Sequence, residues 1–188
     1  MHDLGPATRE LSRVAAHVGD DDLDRPTPCA DWTVRDLLGH LLALTAHFAG
    51  VARHEAAERG GPPAALTGDW RVLLDARLAD LAAAWDEPGA WEGDGAAGGI
   101  EMPNAQLGIV ALEEVVLHGW DLAQAVGAPF TVAEDDVAPV AVFVAGFEHA
   151  PPERRAGLYG PTIAADEDGF ARVLALAGRD PHRSSPAA

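Results

Sequence analysis

The sequence predicts an all-α protein, an antiparallel four-helix bundle with additional C-terminal helices. Four segments carry leucine, valine and alanine at the three- and four-residue spacing of an amphipathic helix. The alternating β-branched and aromatic pattern of strands is nearly absent. A length of 188 residues, 48% of them hydrophobic, suits one domain with a buried core. We therefore expect residues 1–188 to form a single domain, with residues 151–188 as a C-terminal appendage packed on the bundle.

The first two helices have clear start signals. The first is expected from Gly5-Pro6, where proline suits the first turn, to about Val18. In the second, Thr33 and Asp36 have the spacing of a capping box, which predicts a helix to about Arg59. A Gly-Gly-Pro-Pro stretch follows and should break it.

The remaining elements follow from spacing, breakers and caps. We expect a third helix over about 69–85, a Gly-rich loop over 86–103 and a fourth helix over 104–126. Thr131 and Glu134 have capping-box spacing and predict a fifth helix to about Phe147. A short helix is expected over about 166–177, docked through its apolar residues, and residues 183–188 should be disordered or extended.

The charge balance excludes several classes of partner. The chain has 30 acidic residues and 13 basic ones, all arginine, for a net charge of −17. A surface this acidic repels nucleic-acid phosphates and anionic membranes. No apolar run has the roughly 20 residues of a membrane-spanning helix, and the N-terminus has no secretory pattern. Cys29 is the single cysteine, so we interpret it as structural and expect a cytoplasmic protein.

Gly93 to Gly98 spell Gly-x-Gly-x-x-Gly. A dinucleotide site needs a strand before this motif and a helix directly after it. Here a helix breaker, Pro88, precedes it, and Glu92 and Asp94 would repel a pyrophosphate. We therefore interpret the motif as a loop.

Three histidines, His40, His47 and His54, are seven residues apart and share one stripe of the second helix. Each interval rises about 10.5 Å, so at most one of them belongs to a mononuclear metal site. His40 stands among four leucines, which predicts either an inward-facing ligand or a hydrogen-bonded core histidine. His47 and His54 are expected to face solvent or line a cleft.

Glu114 and His118 are four residues apart on one face of the fourth helix, and Asp121 follows on nearly the same face. Glu113 points away from this face. The apolar surroundings make a buried carboxylate and imidazole costly unless they pair or bind a cation. The alternative is a Glu–His pair on the helix surface.

His40 together with Glu114 and His118 supplies two imidazoles and one carboxylate. Catalytic zinc sites use such a set of three protein ligands, with water or substrate at the fourth position. Helix bundles commonly build metal sites from inward side chains on facing helices. We therefore predict one divalent ion between the second and fourth helices.

Residues 27–41, TPCADWTVRDLLGHL, resemble the second-helix entry of the DinB-like, mycothiol-dependent maleylpyruvate isomerase N-terminal family. Residues 114–123, EVVLHGWDLA, resemble the family's second motif. Residues 174–181, LALAGRDP, are similar to the tail of its small stand-alone members. The resemblance covers nearly the whole chain.

This resemblance implies a four-helix metal-binding bundle with His40, Glu114 and His118 at the ligand positions and zinc or nickel as the metal. It also implies a low-molecular-weight thiol, mycothiol or bacillithiol, as cofactor or co-substrate in isomerisation or S-transfer. The isomerase itself resembles this bundle plus a separate C-terminal domain, which we do not expect within 188 residues. The implied partners are a small-molecule thiol and an electrophilic substrate, and a homodimer is compatible with the sequence.

Such a set leaves net positive charge on a divalent ion, which lowers the pKa of a bound water or thiol. The thiolate is the attacking form of a thiol. Asp121 is expected to be a catalytic residue that orients His118 or carries a proton, unless it is a solvated aspartate near a turn. The sequence thus favours a metal-dependent, thiol-using transferase or isomerase. Two alternatives remain, a non-catalytic metal-binding or stress-response protein and a metal-dependent hydrolase.

Overall fold

A computed structural model describes residues 1–29, 31–55, 65–155, 157–164 and 168–183. These residues form a mostly helical structure with one two-stranded sheet, which confirms the predicted all-α class. The helices are α1 Gly5–Ala15, α2 Val34–Ala52, α3 Trp70–Asp86, α4 Asn104–Val126, α5 Glu134–Ala145, α6 Pro152–Arg155 and α7 Gly169–Leu176. The strands are β1 Asp94–Ala97 and β2 Ile100–Pro103.

Helices α1 to α4 form the bundle. Both α1 and α2 pack against α3 and α4, so α1 and α2 lie diagonally opposite each other. The leucines at helical spacing meet at the centre, where their burial removes apolar surface from water and stabilises the fold. The largest fully buried side chains are Trp85, Leu4, Leu11, Leu37, Leu38, Leu41, Leu42, Leu74, Leu78, Leu81, Leu107 and Leu112.

The second helix begins at the predicted cap. The side chain of Thr33 accepts a hydrogen bond from the backbone N–H of Asp36, and the Asp36 carboxylate accepts one from the N–H of Thr33 at 2.9 Å. This reciprocal pair satisfies two of the donors that a helix start leaves open. The capping box therefore fixes where α2 starts and how the preceding loop approaches it.

Two bundle helices end earlier than the sequence predicts. Helix α1 stops at Ala15 rather than Val18, because the N–H groups of His17 and Val18 bond to carbonyls three residues back. Helix α2 stops at Ala52 rather than near Arg59, because His54 adopts a left-handed conformation with φ of 56°. The predicted Gly-Gly-Pro-Pro breaker and Arg59 lie outside the described residues.

The Gly-rich segment 86–103 differs from the predicted loop. It contains a short helical turn, Pro88–Trp91, and an antiparallel hairpin of β1 and β2. Gly98 and Gly99 connect the strands with φ values of 57° and 80°, the left-handed pair that a tight hairpin turn requires. The Gly-x-Gly-x-x-Gly motif thus lies along β1 and its turn. A second strand follows it, in place of the helix that a dinucleotide site needs.

The predicted Thr131 and Glu134 capping box is wrong. Helix α5 starts at Glu134 after Ala133, and no side chain caps it. The N–H and hydroxyl of Thr131 instead donate to the Glu10 carboxylate of α1, at 2.7 and 3.1 Å. This contact binds the α4–α5 connection to α1.

The C-terminal segment lies on the bundle through α5. Helix α7 packs against α5, and α5 packs against α4. The buried side chains of α7 include Val173, Leu174 and Leu176. The expected start near residue 166 lies outside the described residues, as do residues 184–188 of the tail predicted to be disordered or extended over 183–188.

Among the described residues, no helix is long and apolar enough to cross a membrane.

Candidate metal centre

His40 on α2 and Glu114 and His118 on α4 meet where the two helices face each other. One oxygen of Glu114, Oε2, lies 3.3 Å from Nε2 of His40 and 3.1 Å from Nε2 of His118. The potential ligand atoms of all three residues lie within 4.8 Å of one another. The fold thus brings together the three residues that the sequence singled out.

This cluster, which we call the outer set, is accessible from solvent on one side. The side chain of His118 is 9% exposed, whereas those of His40 and Glu114 are 28% and 24% exposed. A small molecule bound to these residues would therefore be partly exposed at the protein surface. The outer set therefore has the open side that a site for a small molecule needs.

The donor atoms of the outer set fit a divalent ion. Two imidazole nitrogens and one carboxylate oxygen are ligands that zinc and nickel accept. The carboxylate oxygen already lies between the two nitrogens, close to both. His40, Glu114 and His118 are therefore the residues that would hold such an ion.

The other ring nitrogen of His118 faces Asp121, which is fully buried. Nδ1 of His118 lies 3.0 Å from Oδ2 of Asp121. Arg179, from the segment after α7, donates to both oxygens of the same carboxylate, at 2.9 and 2.7 Å. A buried carboxylate is thus neutralised and oriented by one arginine and one histidine.

These contacts shift the pKa of both α4 residues in the cluster. Burial alone would lower the pKa of His118, but its hydrogen bonds to Asp121 and Glu114 outweigh this and raise the pKa to about 9. Burial opposes ionisation of Glu114, yet the hydrogen bonds from His118 and His40 hold its pKa well below the usual range. Both shifts favour the charged forms, an ionised Glu114 beside a protonated His118.

The residues just before α2, 27–29 and 31–33, cover one side of the cluster. The Trp32 ring lies 4.8 Å from the His40 ring and 5.8 Å from the His118 ring, measured between centroids. Thr27 holds the loop closed, because its N–H and hydroxyl both donate to the Trp32 carbonyl. The loop thus places an aromatic side chain directly on both histidines.

Cys29, in the same loop, also lies beside the cluster. Its sulfur and ligand atoms of His118 and Asp121 lie within 4.8 Å of one another. Burial and the charge of Asp121 raise the pKa of the thiol to about 11. In the sequence, 89 positions (118 − 29) separate Cys29 from His118, so no local spacing predicted this contact.

Arg179 is the residue of the cluster that sequence reasoning missed. It stands 58 positions after Asp121. The only signal was its place in the LALAGRDP tail, which says nothing about its partner.

The remaining candidates lie outside the cluster. His47 contacts the carbonyl of Ala96 in β1, and His54 contacts the carbonyl of Gly89. His47 thus joins α2 to the hairpin, and His54, just after α2, joins the helical turn Pro88–Trp91. Glu113 is buried, and burial together with the charge of Glu114 raises its pKa to about 8.

Comparison with known proteins identifies the family and relates the fold to solved structures. The family model described as the mycothiol maleylpyruvate isomerase N-terminal domain matches residues 4–123. A crystal structure of the mycothiol-dependent maleylpyruvate isomerase has a TM-score of 0.63 and 20% identity, over 82% of this chain and 70% of that chain. A crystal structure of a histidine-to-alanine mutant of that enzyme has a TM-score of 0.62 and 18% identity, with the same coverage.

At these identities the two crystal structures establish likeness of fold. No curated protein matches the sequence. The family model covers more than half of the chain, and the chain therefore belongs to the mycothiol maleylpyruvate isomerase N-terminal domain family.

Proposed function

We propose that this protein binds one divalent metal ion, zinc or nickel, at the outer set and uses a thiol of the mycothiol type to transfer or isomerise a small electrophilic substrate. The observation that carries the proposal is the convergence of His40, Glu114 and His118 at a partly exposed position. Membership of a family named for a mycothiol-dependent isomerase supports the dependence on a thiol.

A divalent ion held by two neutral imidazoles and one carboxylate keeps net positive charge and lowers the pKa of a thiol or water bound to it. The protein's own residues prepare the position. Glu114 supplies the single negative charge, and Asp121 takes the Nδ1–H of His118, which leaves Nε2 directed to the outer set. Trp32 covers both histidine rings and limits access of water from its side.

Asp121 has an orienting role in this scheme. Its carboxylate is fully buried and already contacts both Arg179 and His118. These contacts support its action through His118, as the acceptor that fixes the ring, over direct proton exchange with a substrate. Of the two roles predicted from the sequence, we therefore retain the first.

We further propose a cytoplasmic protein whose partners are a small-molecule thiol and an electrophile. Its net charge of −17 disfavours nucleic acid and anionic membrane surfaces.

Turnover measurements test the proposal. Zinc- or nickel-loaded protein is incubated with mycothiol and either maleylpyruvate, as the substrate to be isomerised, or a haloaromatic electrophile, as the acceptor of the thiol. We expect turnover that needs both metal and mycothiol, is lost in His118→Ala and persists in His54→Ala. Metal-dependent turnover of an ester without any thiol would instead establish a hydrolase. Stoichiometric metal without turnover of any of these substrates would leave a non-catalytic metal-binding protein.

A further inference from the structure

His118 belongs to two groups of residues whose potential ligand atoms lie within 4.8 Å of one another, close enough for either group to hold a metal ion. Its Nε2 faces Glu114 in the outer set, and its Nδ1 faces Asp121. Asp121 and Cys29 complete a second group, which we call the inner set, Cys29–His118–Asp121. A neutral imidazole has one protonated nitrogen and one free lone pair, so His118 can serve as a ligand in only one of the two sets at a time. Some other feature of the site must therefore decide which set an ion occupies.

Ligand charge alone favours the inner set. A thiolate and a carboxylate would bring two negative charges to a divalent ion, whereas the outer set brings only that of Glu114. Cysteine sulfur is also a preferred ligand of zinc. On ligand chemistry alone, a divalent ion would bind at the inner set, with Cys29, in preference to the outer set.

The positive charge of Arg179 disfavours metal binding at the inner set. Its guanidinium contacts both oxygens of Asp121, at 2.9 and 2.7 Å, and only 7% of the residue is exposed. A cation bound to Asp121 would lie next to this fixed positive charge, where little water screens the repulsion. It would also have to displace a bidentate pair.

We propose that Arg179 is a positioning residue that excludes divalent metal from the inner set and thereby confines it to the outer set. The inference rests on the proposed metal-binding function. The C-terminal segment would then have a role at the bundle site, because Arg179, after α7, supplies the positive charge that excludes metal from the inner set. It also leaves Cys29 free of metal, although the cysteine lies beside a metal ligand.

The chain contains a matched control. Arg155 is also 7% exposed and also belongs to the C-terminal segment. Its guanidinium donates to backbone carbonyls, those of Phe147, Gly160 and Leu176. Replacing Arg155 removes a comparable buried arginine and leaves the Asp121 carboxylate neutralised.

The experiment titrates full-length protein with Co²⁺ and records near-ultraviolet and visible absorption, because a cobalt–thiolate bond gives a charge-transfer band that nitrogen and oxygen ligands do not give. We expect wild type to bind Co²⁺ without this band, and Cys29→Ser to change its Kd less than about twofold. Arg179→Met should gain the band, and adding Cys29→Ser to it should weaken binding by about tenfold or more. Arg179→Lys, which keeps the charge, and Arg155→Met should bind Co²⁺ without the band.

A thiolate band in wild type, or Co²⁺ binding without it in Arg179→Met, overturns the inference. If circular dichroism shows that Arg179→Met does not fold, wild type and Cys29→Ser still decide, because a loss of affinity in Cys29→Ser overturns it as well. The proposed function fails separately. If wild type binds no Co²⁺, the outer set is contradicted. A thiolate band in Arg179→Met would then still support exclusion of metal by Arg179. If neither protein binds Co²⁺, the proposed function and the inference about Arg179 are both contradicted.

Discussion

The indole of Trp32 stacks on the imidazole of His118, with ring centroids 5.8 Å apart and planes inclined by 23°. Trp32 directly precedes Thr33, the cap of α2, so the turn that starts the helix also positions this ring. His118 lies on α4. The stacking therefore joins the start of one bundle helix to the candidate ligand of another.

This contact makes Trp32 a reporter of metal binding. We expect Co²⁺ or Ni²⁺ to quench part of the tryptophan fluorescence, because quenching by such ions falls steeply with distance. Trp32→Phe should lose most of this response, whereas Trp70→Phe, at the start of α3, should keep it. Emission titrations of the variants measure the effect, and equal quenching in wild type and Trp32→Phe would contradict the placement of the ion.

Removing one ligand should abolish metal binding. His118→Ala takes one nitrogen from the outer set and leaves Asp121 without its histidine partner. We expect bound zinc or nickel, measured by elemental analysis of purified protein, to fall from about one equivalent to near zero, since three protein ligands is the usual minimum. His54→Ala, whose side chain contacts the Gly89 carbonyl, should retain full metal content. Equal metal content in both variants would reject the outer set.

Gly108 of α4 allows two tryptophans to pack closely against the helix. A Cβ there would lie 2.6 Å from the Trp91 ring and 2.9 Å from the Trp85 ring. Because these rings are large and packed against each other, Gly108→Ala should lower the free energy of unfolding by about 1–3 kcal/mol. Gly89→Ala is the control, since a Cβ there meets no atom within 4 Å. Urea denaturation compares the two, and equal stability would mean that the rings move aside freely.

Glu10 should make the protein sensitive to acid. The hydrogen bond from Arg13 is the main cause that lowers its pKa to about 2, with burial opposing and Thr131 contributing further. Because the folded pKa lies below the ordinary 4.5, the carboxylate stabilises the fold above about pH 4.5, and this contribution is lost as the pH falls towards 2.

Glu10→Gln should therefore be less stable than wild type at pH 7, by about 1 kcal/mol or less because Arg13 is partly exposed to solvent. The difference should shrink as the pH is lowered and vanish near pH 2. Denaturant unfolding of both proteins at a series of pH values measures it. A difference that stays constant with pH would show that the carboxylate's charge is not the cause.

The parts of the fold that could be predicted depend on local signals. Helix α4 begins and ends where expected, because Gly127 adopts the left-handed conformation that terminates a helix. The hairpin escaped prediction because β1 is built from Asp, Gly and Ala, which have low β propensity. Its stability comes from the turn and from packing, as Gly95 lies closely against Asn104 and Leu107 of α4.

In the candidate site, too, contacts between residues close in sequence could be predicted. Glu114 and His118 could be paired from their four-residue interval on one helix. The contacts of Asp121 with Cys29 and Arg179 could not be predicted, because these two residues come from distant segments that only the tertiary fold brings to α4. Hydrogen bonding within the protein decides which nitrogen of His118 faces outwards, and no spacing in the sequence encodes that choice.

The C-terminal segment should be required for stability of the bundle. A chain ending at residue 150 loses α7, which packs against α5, and it loses the guanidinium of Arg179. Breaking the buried Arg179–Asp121 pair alone costs about 3–5 kcal/mol. We therefore expect a marked fall in the melting temperature and in the free energy of unfolding, measured by circular dichroism.

A chain ending at residue 183 keeps all these contacts and should match the full-length protein, because the deleted residues are Ser-Ser-Pro-Ala-Ala and contain no large apolar side chain. If the shorter chain were as stable as the longer one, the segment would not be docked on the bundle, and the charge that neutralises Asp121 would have to come from elsewhere.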